Sequence, residues 1–154
     1  MNSSLGRIRD FLTGYPKPGN NSYTEIAAVY DAVMDHVDYA GWAAYIAALF
    51  SRFKPETAAV LEVACGTGTL SAELAARGYS MTCSDLSSAM LKIASQKFAA
   101  RGLTIPVFVS DLAALPLRKR FDAVLCLYDS INYLTEPERF VQALGDVAAV
   151  LESG

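Results

Sequence analysis

From residue 58 onward, short apolar runs alternate with segments whose apolar residues recur at helical spacing. That alternation predicts strands at 58–64, 79–84, 106–110 and 121–127, with helices at about 69–77, 87–101 and 136–152 between and after them. Gly78 and Gly102 stop the first two helices, while Thr135 and Glu138 form a capping box for the third. The strand runs AAVLEVA and FDAVLCL are apolar on both faces, as expected of a parallel sheet covered by helices on both sides. Upstream, Ser22 and Glu25 make a capping box, and Ile26, Val29, Tyr30, Val33 and Met34 follow on one helical stripe. A second helix carries Trp42, Ile46, Leu49, Phe50 and Phe53 on one stripe and is closed by Pro55. The first twenty residues, rich in Gly, Pro and Asn, predict a flexible arm at 1–21 ahead of a single α/β domain at 22–154.

Composition narrows this picture. With 154 residues there is room for one core, and 53% hydrophobic against 19% charged residues, at a mean hydropathy of +0.25, excludes the disordered class. The longest uncharged stretch of the first third, 39–51, is short of the about 20 residues a membrane-spanning helix needs, and the N-terminus has no secretory pattern. A cytoplasmic protein is expected. A net charge of −3 offers no broad attraction to a phosphate backbone, so a nucleic-acid substrate is disfavoured. Cys65, Cys83 and Cys126 stand in or at the ends of separate apolar runs, with no CxxC and no accompanying His, which predicts buried free thiols and no metal.

The chemistry concentrates where strands end. In 60–70, VLEVACGTGTL, a strand runs into a turn containing Gly66 and Gly68 and then into a helix. Glycines there allow a sharp turn and close approach of a ligand to backbone, with a helix N-terminus behind it, although an ordinary tight turn has the same look. A dinucleotide fingerprint wants a third small residue at 71, where this chain has Ser71, and it wants no acid in the strand, where this chain has Glu62. The next strand ends at Asp85, placed to accept hydrogen bonds from both hydroxyls of a ribose; a helix cap is the alternative role. The third ends at Asp111. Open parallel sheets bind ligands beyond the C-terminal ends of their strands, so Glu62, Gly66, Gly68, Asp85 and Asp111 converge on one crevice.

With VLEVACGTG (60–68), CSDLSSAML (83–91), VSDLAALPL (109–117) and FDAVLCLYDSINYL (121–134) in this order, the chain resembles the class I S-adenosylmethionine-dependent methyltransferases over residues 22–154. The resemblance implies a Rossmann-like fold with sheet order 3-2-1-4-5-7-6, of which only the order 3-2-1-4 is found here. It also implies S-adenosyl-L-methionine as cofactor, with the turn at 64–68 (Ala64, Cys65, Gly66 and Gly68) at the methionine moiety, Asp85 at the ribose, Asp111 and Leu112 at the adenine, and Glu62 and Leu86 among the other cofactor-binding residues. Ala64 departs from the family's glycine, and its methyl group should lower affinity modestly. Residues 23–31 look like the N-terminal helix of a small-molecule-type subgroup, making 22–55 a helical lid in which Tyr23 and Tyr30 face the cofactor; core packing is the alternative for Tyr30.

The resemblance puts Tyr128, Asp129 and, more weakly, Asn132 at the acceptor, with loop capping as their alternative. The segment lacks the [DN]-PP-[YF] pattern of enzymes that methylate nucleobase amines or the glutamine amide, which favours a small-molecule acceptor. His36, beside Asp35 and Asp38, and the run Arg118-Lys119-Arg120 read as solvated. Two alternatives stand beside methyl transfer: a Rossmann domain using NAD, and a chain that binds the cofactor without turnover. Because strands five to seven are not found and Gly154 falls at the expected end of the last helix, the sequence is expected to be part of a longer protein, or to cover the edge of its fourth strand by self-association.

Overall fold

The computed structural model describes residues 22–152; the predicted arm at 1–21, residues 153–154 and the side chains of residues 22–25, which include the first capping box, lie outside the described residues. Helices α1 (Ser22–Val33) and α2 (Tyr39–Phe53) precede β1 (Ala59–Val63), α3 (Thr69–Ala76), β2 (Ser80–Asp85), α4 (Ser88–Ala100), β3 (Val107–Val109) and β4 (Ala123–Cys126). A single 3-10 turn at Ser130–Tyr133 leads to α5 (Pro137–Val150). All strand pairs are parallel, as the pattern predicts, and the order is β3-β2-β1-β4, as the resemblance implies.

Strand alternation divides the core. Val60 and Met81 face Ala43 and Ile46 of α2 and Leu70 and Leu74 of α3. Cys83 meets Ala72 of α3 and Leu91, Ala94 and Phe98 of α4. On the other side of the sheet, Leu61 and Val63 pack with Phe121 and with Val150 of α5. The entry to β1 is pinned by Asp122, whose Oδ2 accepts the backbone N–H groups of Ala58 (2.9 Å) and Ala59 (2.8 Å). Those two donors hold its carboxyl below the usual range.

Four details differ from the sequence reading. Val29 and Val33 are exposed at 54% and 63%, because α1 turns Ala27, not its valines, into the core. On α2, Ala43 and Ile46 are buried while Trp42 and Phe53 face outward. The N-cap of α5 is Glu136, without a side-chain cap bond, and not the Thr135–Glu138 box; Pro137 opens the helix, its fixed φ suiting the first turn and its missing N–H costing nothing there. Finally, α5 ends at Val150, and Leu151 is already extended and bridged in parallel to Phe121 on the side of β4 away from β1. Phe121 N–H donates to Val150 O (2.8 Å) and Glu152 N–H to Phe121 O (2.9 Å). The next strand position therefore begins three residues earlier than expected.

The turn after β1 is shaped by packing as much as by backbone freedom. Gly68 has φ +69°, and a Cβ there would stand 2.5 Å from Cζ of the buried Phe98 and 3.1 Å from Cβ of Ala94. Gly68→Ala is expected to lower unfolding free energy by about 2–3 kcal/mol, combining overpacking with a left-handed non-glycine. Urea denaturation monitored by circular dichroism measures it.

Candidate cofactor site at the strand ends

The C-terminal edges of β1 and β2 are tied together by hydrogen bonds from the glycine turn. Cys65 N–H donates to Ser84 O (2.9 Å), Gly68 N–H closes the turn on Cys65 O (3.0 Å), and Gly66 N–H donates to Asp85 Oδ2 (2.8 Å). Asp85 Oδ1 accepts Ser87 N–H (2.8 Å), while Ser87, not Asp85, is the N-cap of α4, its hydroxyl accepting Met90 N–H. Burial pushes the Asp85 carboxyl up against these backbone donors, which pull it down; burial wins. Ala64 takes the left-handed φ of +52° that its glycine-like position demands.

Behind the turn lies a buried polar chain. Ser71 Oγ donates to Glu62 Oε2, and Cys83 Sγ donates to Ser71 Oγ (2.9 Å). The serine that a dinucleotide fingerprint would replace by a small residue thus serves the strand carboxyl. Burial pushes Glu62 up to about 7, with the Ser71 hydrogen bond opposing and Asp85 adding to the rise. The thiol of Cys65 is also pushed up, by Cys83 and by burial, so it is an inert thiol. Within the described residues all three cysteines are free and no group of three or more His, Cys, Asp or Glu side chains comes together to hold a metal.

Tyr30 brings α1 to this turn: its Cε1 is 3.8 Å from where a Gly66 Cβ would stand. Its phenol is raised by burial and by Asp85. The side chain of Tyr23 lies outside the described residues. Leu86 is 58% exposed beside Asp85, whereas Leu112 packs against the α5 side of the core. Asp111 is engaged by Arg139 of α5 (2.5 Å to Oδ2) and by Ala113 N–H (2.9 Å to Oδ1). A group bound at Asp111 would share that carboxylate with Arg139, a partner absent from the sequence reading.

After β4, Tyr128 and Asp129 both have positive φ, +54° and +61°, a costly backbone for non-glycine residues of the kind that accompanies functional sites. Asn132 is exposed, and its N–H donates to Asp129 O within the 3-10 turn. The Tyr128 ring lies 5.8 Å from Tyr39 and 6.0 Å from Trp42, forming an aromatic wall that sequence reasoning missed. Helical spacing puts Trp42 on the packed stripe of its helix, and only the fold brings it to Tyr128. The Tyr39 and Tyr128 phenols are raised chiefly by burial, so they remain protonated hydrogen-bonding groups at neutral pH. His36 stands at the exposed end of α1, where its Nδ1–H donates to Val33 O (3.2 Å), away from the strand ends.

A cofactor with an adenosine and an amino-acid end fits what is present: a backbone turn open at Gly66, an α3 N-terminus with no side-chain cap, and a carboxylate at the end of β2. A parallel sheet in the order 3-2-1-4 with such a turn at the end of β1 defines a Rossmann-like, nucleoside-binding α/β protein. A family model described as a methyltransferase domain matches residues 60–154. The chain belongs to the S-adenosylmethionine-dependent methyltransferase family.

Among its relatives is the dTDP-3-amino-3,6-dideoxy-alpha-D-glucopyranose N,N-dimethyltransferase of Streptomyces fradiae, 37% identical over 133 residues, which cover 84% of this chain and 51% of that protein. A solved S-adenosylmethionine-dependent methyltransferase from Clostridium acetobutylicum superposes with a TM-score of 0.75 at 29% identity, over 86% of this chain and 55% of the other. CalS10, an amino pentose methyltransferase from Micromonospora echinaspora solved with S-adenosylmethionine bound, has a TM-score of 0.75 at 27% identity, over 82% and 52% of the two chains. The chain spans about half the length of the curated relatives it matches. The nicotinamide alternative finds no support in these relatives. No helix among the described residues is long and apolar enough to cross a membrane.

The displaced Glu62 carboxyl has a consequence for stability. Its folded value of about 7 exceeds the unfolded one, so the fold favours the protonated form. The stabilisation is full below pH about 4 and is lost as pH rises toward 7, each unit of displacement being equivalent to about 1.4 kcal/mol. Asp85, raised as well, acts in the same direction. Urea midpoints measured from pH 4 to 8 should fall for the unaltered chain and fall less steeply for Glu62→Gln.

Proposed function

We propose that the protein transfers a methyl group from S-adenosylmethionine to an amine of a small molecule, of the amino-sugar kind named for its relatives. The observation that carries the reading is the joining of the open turn at Gly66 to Asp85, with Tyr30 over that turn and in electrostatic reach of Tyr39 and Tyr128 of the aromatic wall, which supports a nucleoside site and an acceptor site in one crevice. In this reading Asp85 accepts the ribose hydroxyls through lone pairs not used by Gly66 and Ser87, the 64–68 turn receives the amino-acid end, and Asp111 and Leu112 flank the base. Tyr30 closes over the turn from α1.

The cofactor supplies an activated methyl carbon whose sulfur leaving group needs no proton. What remains for the protein is alignment and exclusion of water. Tyr39, Trp42 and Tyr128 offer a ring face to the acceptor, and Tyr128, being protonated, donates a hydrogen bond without acting as a base. An ammonium acceptor must lose a proton before it attacks; Asp129, next to Tyr128, is the carboxylate assigned to receive it, with Asn132 orienting the acceptor. Small-molecule acceptors also accord with a net charge of −3, which gives no reason to invoke nucleic acid, and we assign the protein to the cytoplasm.

Calorimetric titration tests the cofactor half. S-adenosylhomocysteine is expected to bind, and Asp85→Ala to weaken it by about 1–3 kcal/mol, the scale of lost hydrogen bonds to a charged group. Binding of NAD with no response to S-adenosylhomocysteine would overturn the proposal. The acceptor half is read with labelled S-adenosylmethionine and a panel of amine, hydroxyl and carbon acceptors, where Tyr128→Ala should raise the acceptor KM severalfold at unchanged cofactor affinity. Cofactor binding without labelling of any acceptor would establish the binding-only alternative for this chain.

A further inference from the structure

One charged cluster adjoins the site through Thr67 of the turn. Asp31, the residue after Tyr30 on α1, pairs through Oδ2 with Lys97 Nζ of α4 at 2.8 Å, and its Oδ1 accepts the Thr67 hydroxyl at 2.5 Å. Lys97 Nζ also donates to Thr69 Oγ1 (2.6 Å) and Thr67 Oγ1 (3.2 Å). Thr67 stands between the two glycines and is 2% exposed, and Thr69 opens α3. Four side chains from α1, the turn, α3 and α4 are therefore closed into one network.

The apolar hold on α1 is weak by comparison. Of the residues 26–33 only Ala27 is buried, and Val29 and Val33 are more than half exposed. A helix so little anchored by its own apolar face depends on directional contacts for its position. The contacts it has sit one residue from the tyrosine whose ring edge reaches Gly66.

The geometry points to Asp31 and Lys97 as positioning residues: an ionic latch that fixes α1 so that Tyr30 covers the Gly66 turn and thereby retains the cofactor. The inference rests on the cofactor reading of that turn. The latch acts on affinity for the nucleoside ligand and not on the sheet, because the polar partners of both charges lie on the turn and the helices. The Asp31 side chain is half exposed and that of Lys97 one-fifth exposed, so dissolved salt reaches the pair and weakens it.

Hydrogen exchange on the unliganded full chain and calorimetry with S-adenosylhomocysteine test the latch together. In Lys97→Met and Asp31→Asn, α1 amides should exchange faster while β1 and β2 amides keep their protection, and binding should weaken about three- to tenfold at low salt, within the range for a partly exposed ion pair with added hydrogen bonds. The unaltered chain should lose affinity as salt rises and the two variants should not. The double exchange Asp31→Lys with Lys97→Glu should recover α1 protection and part of the affinity. Unchanged α1 exchange in both single variants, or equal salt dependence in all, overturns the latch. If the unaltered chain does not bind S-adenosylhomocysteine, the proposed function fails by itself, and the exchange of α1 amides still decides whether the latch exists.

Discussion

A single hydrogen bond, from the Gly66 amide to the Asp85 carboxylate, sets the geometry on which the site depends. It spans the ends of two neighbouring parallel strands, and with Cys65 N–H on Ser84 O it fixes the height at which the chain leaves β1 for α3. A half-buried carboxylate aligned in this way is costly unless donors surround it, and the backbone supplies them from both the turn and the start of α4. Asp85 is thus a structural tie, and in the proposed function it is also the group that meets the nucleoside. Substituting it disturbs the shape of the turn as well as any ligand contact.

The sheet was legible because a covered parallel strand leaves a simple mark, a short run apolar on both faces, and four such runs separated by helical spacing admit few topologies. The boundaries were less so. Helix α5 is two residues shorter than its pattern predicts, because Leu151 and Glu152 continue a helical pattern while Val150 O and Glu152 N–H are captured by Phe121. Its start differs from the pattern because Pro137 sets the first turn through its ring, a constraint that outweighs a capping pair one residue earlier. On α1 the valines suggested a core stripe, but a helix lying over a polar turn buries whichever small residue allows closest approach, here Ala27.

At the site, residues that mark strand ends could be found by position: Glu62, Gly66, Gly68, Asp85 and Asp111 all gather at one edge. Side chains that arrive from other elements could not. Arg139 reaches Asp111 across 28 positions, Lys97 reaches Asp31 across 66, and Trp42 meets Tyr128 only after the helices pack. Nothing in their local sequence distinguishes these residues from an ordinary surface charge or a helix-face aromatic. Asp122 is similar, since its role at the start of β1 exists only once β4 lies alongside.

The fit between Gly68 and Phe98 carries an evolutionary consequence. The space for a side chain at position 68 is already occupied by a ring from a helix thirty residues downstream, so the two positions share one volume. Across related chains, a bulkier residue at 68 should occur only where 98 has shrunk, a correlated exchange that follows from packing alone. The invariance such a glycine would show could be mistaken for ligand contact, whereas its origin lies in the hydrophobic interior.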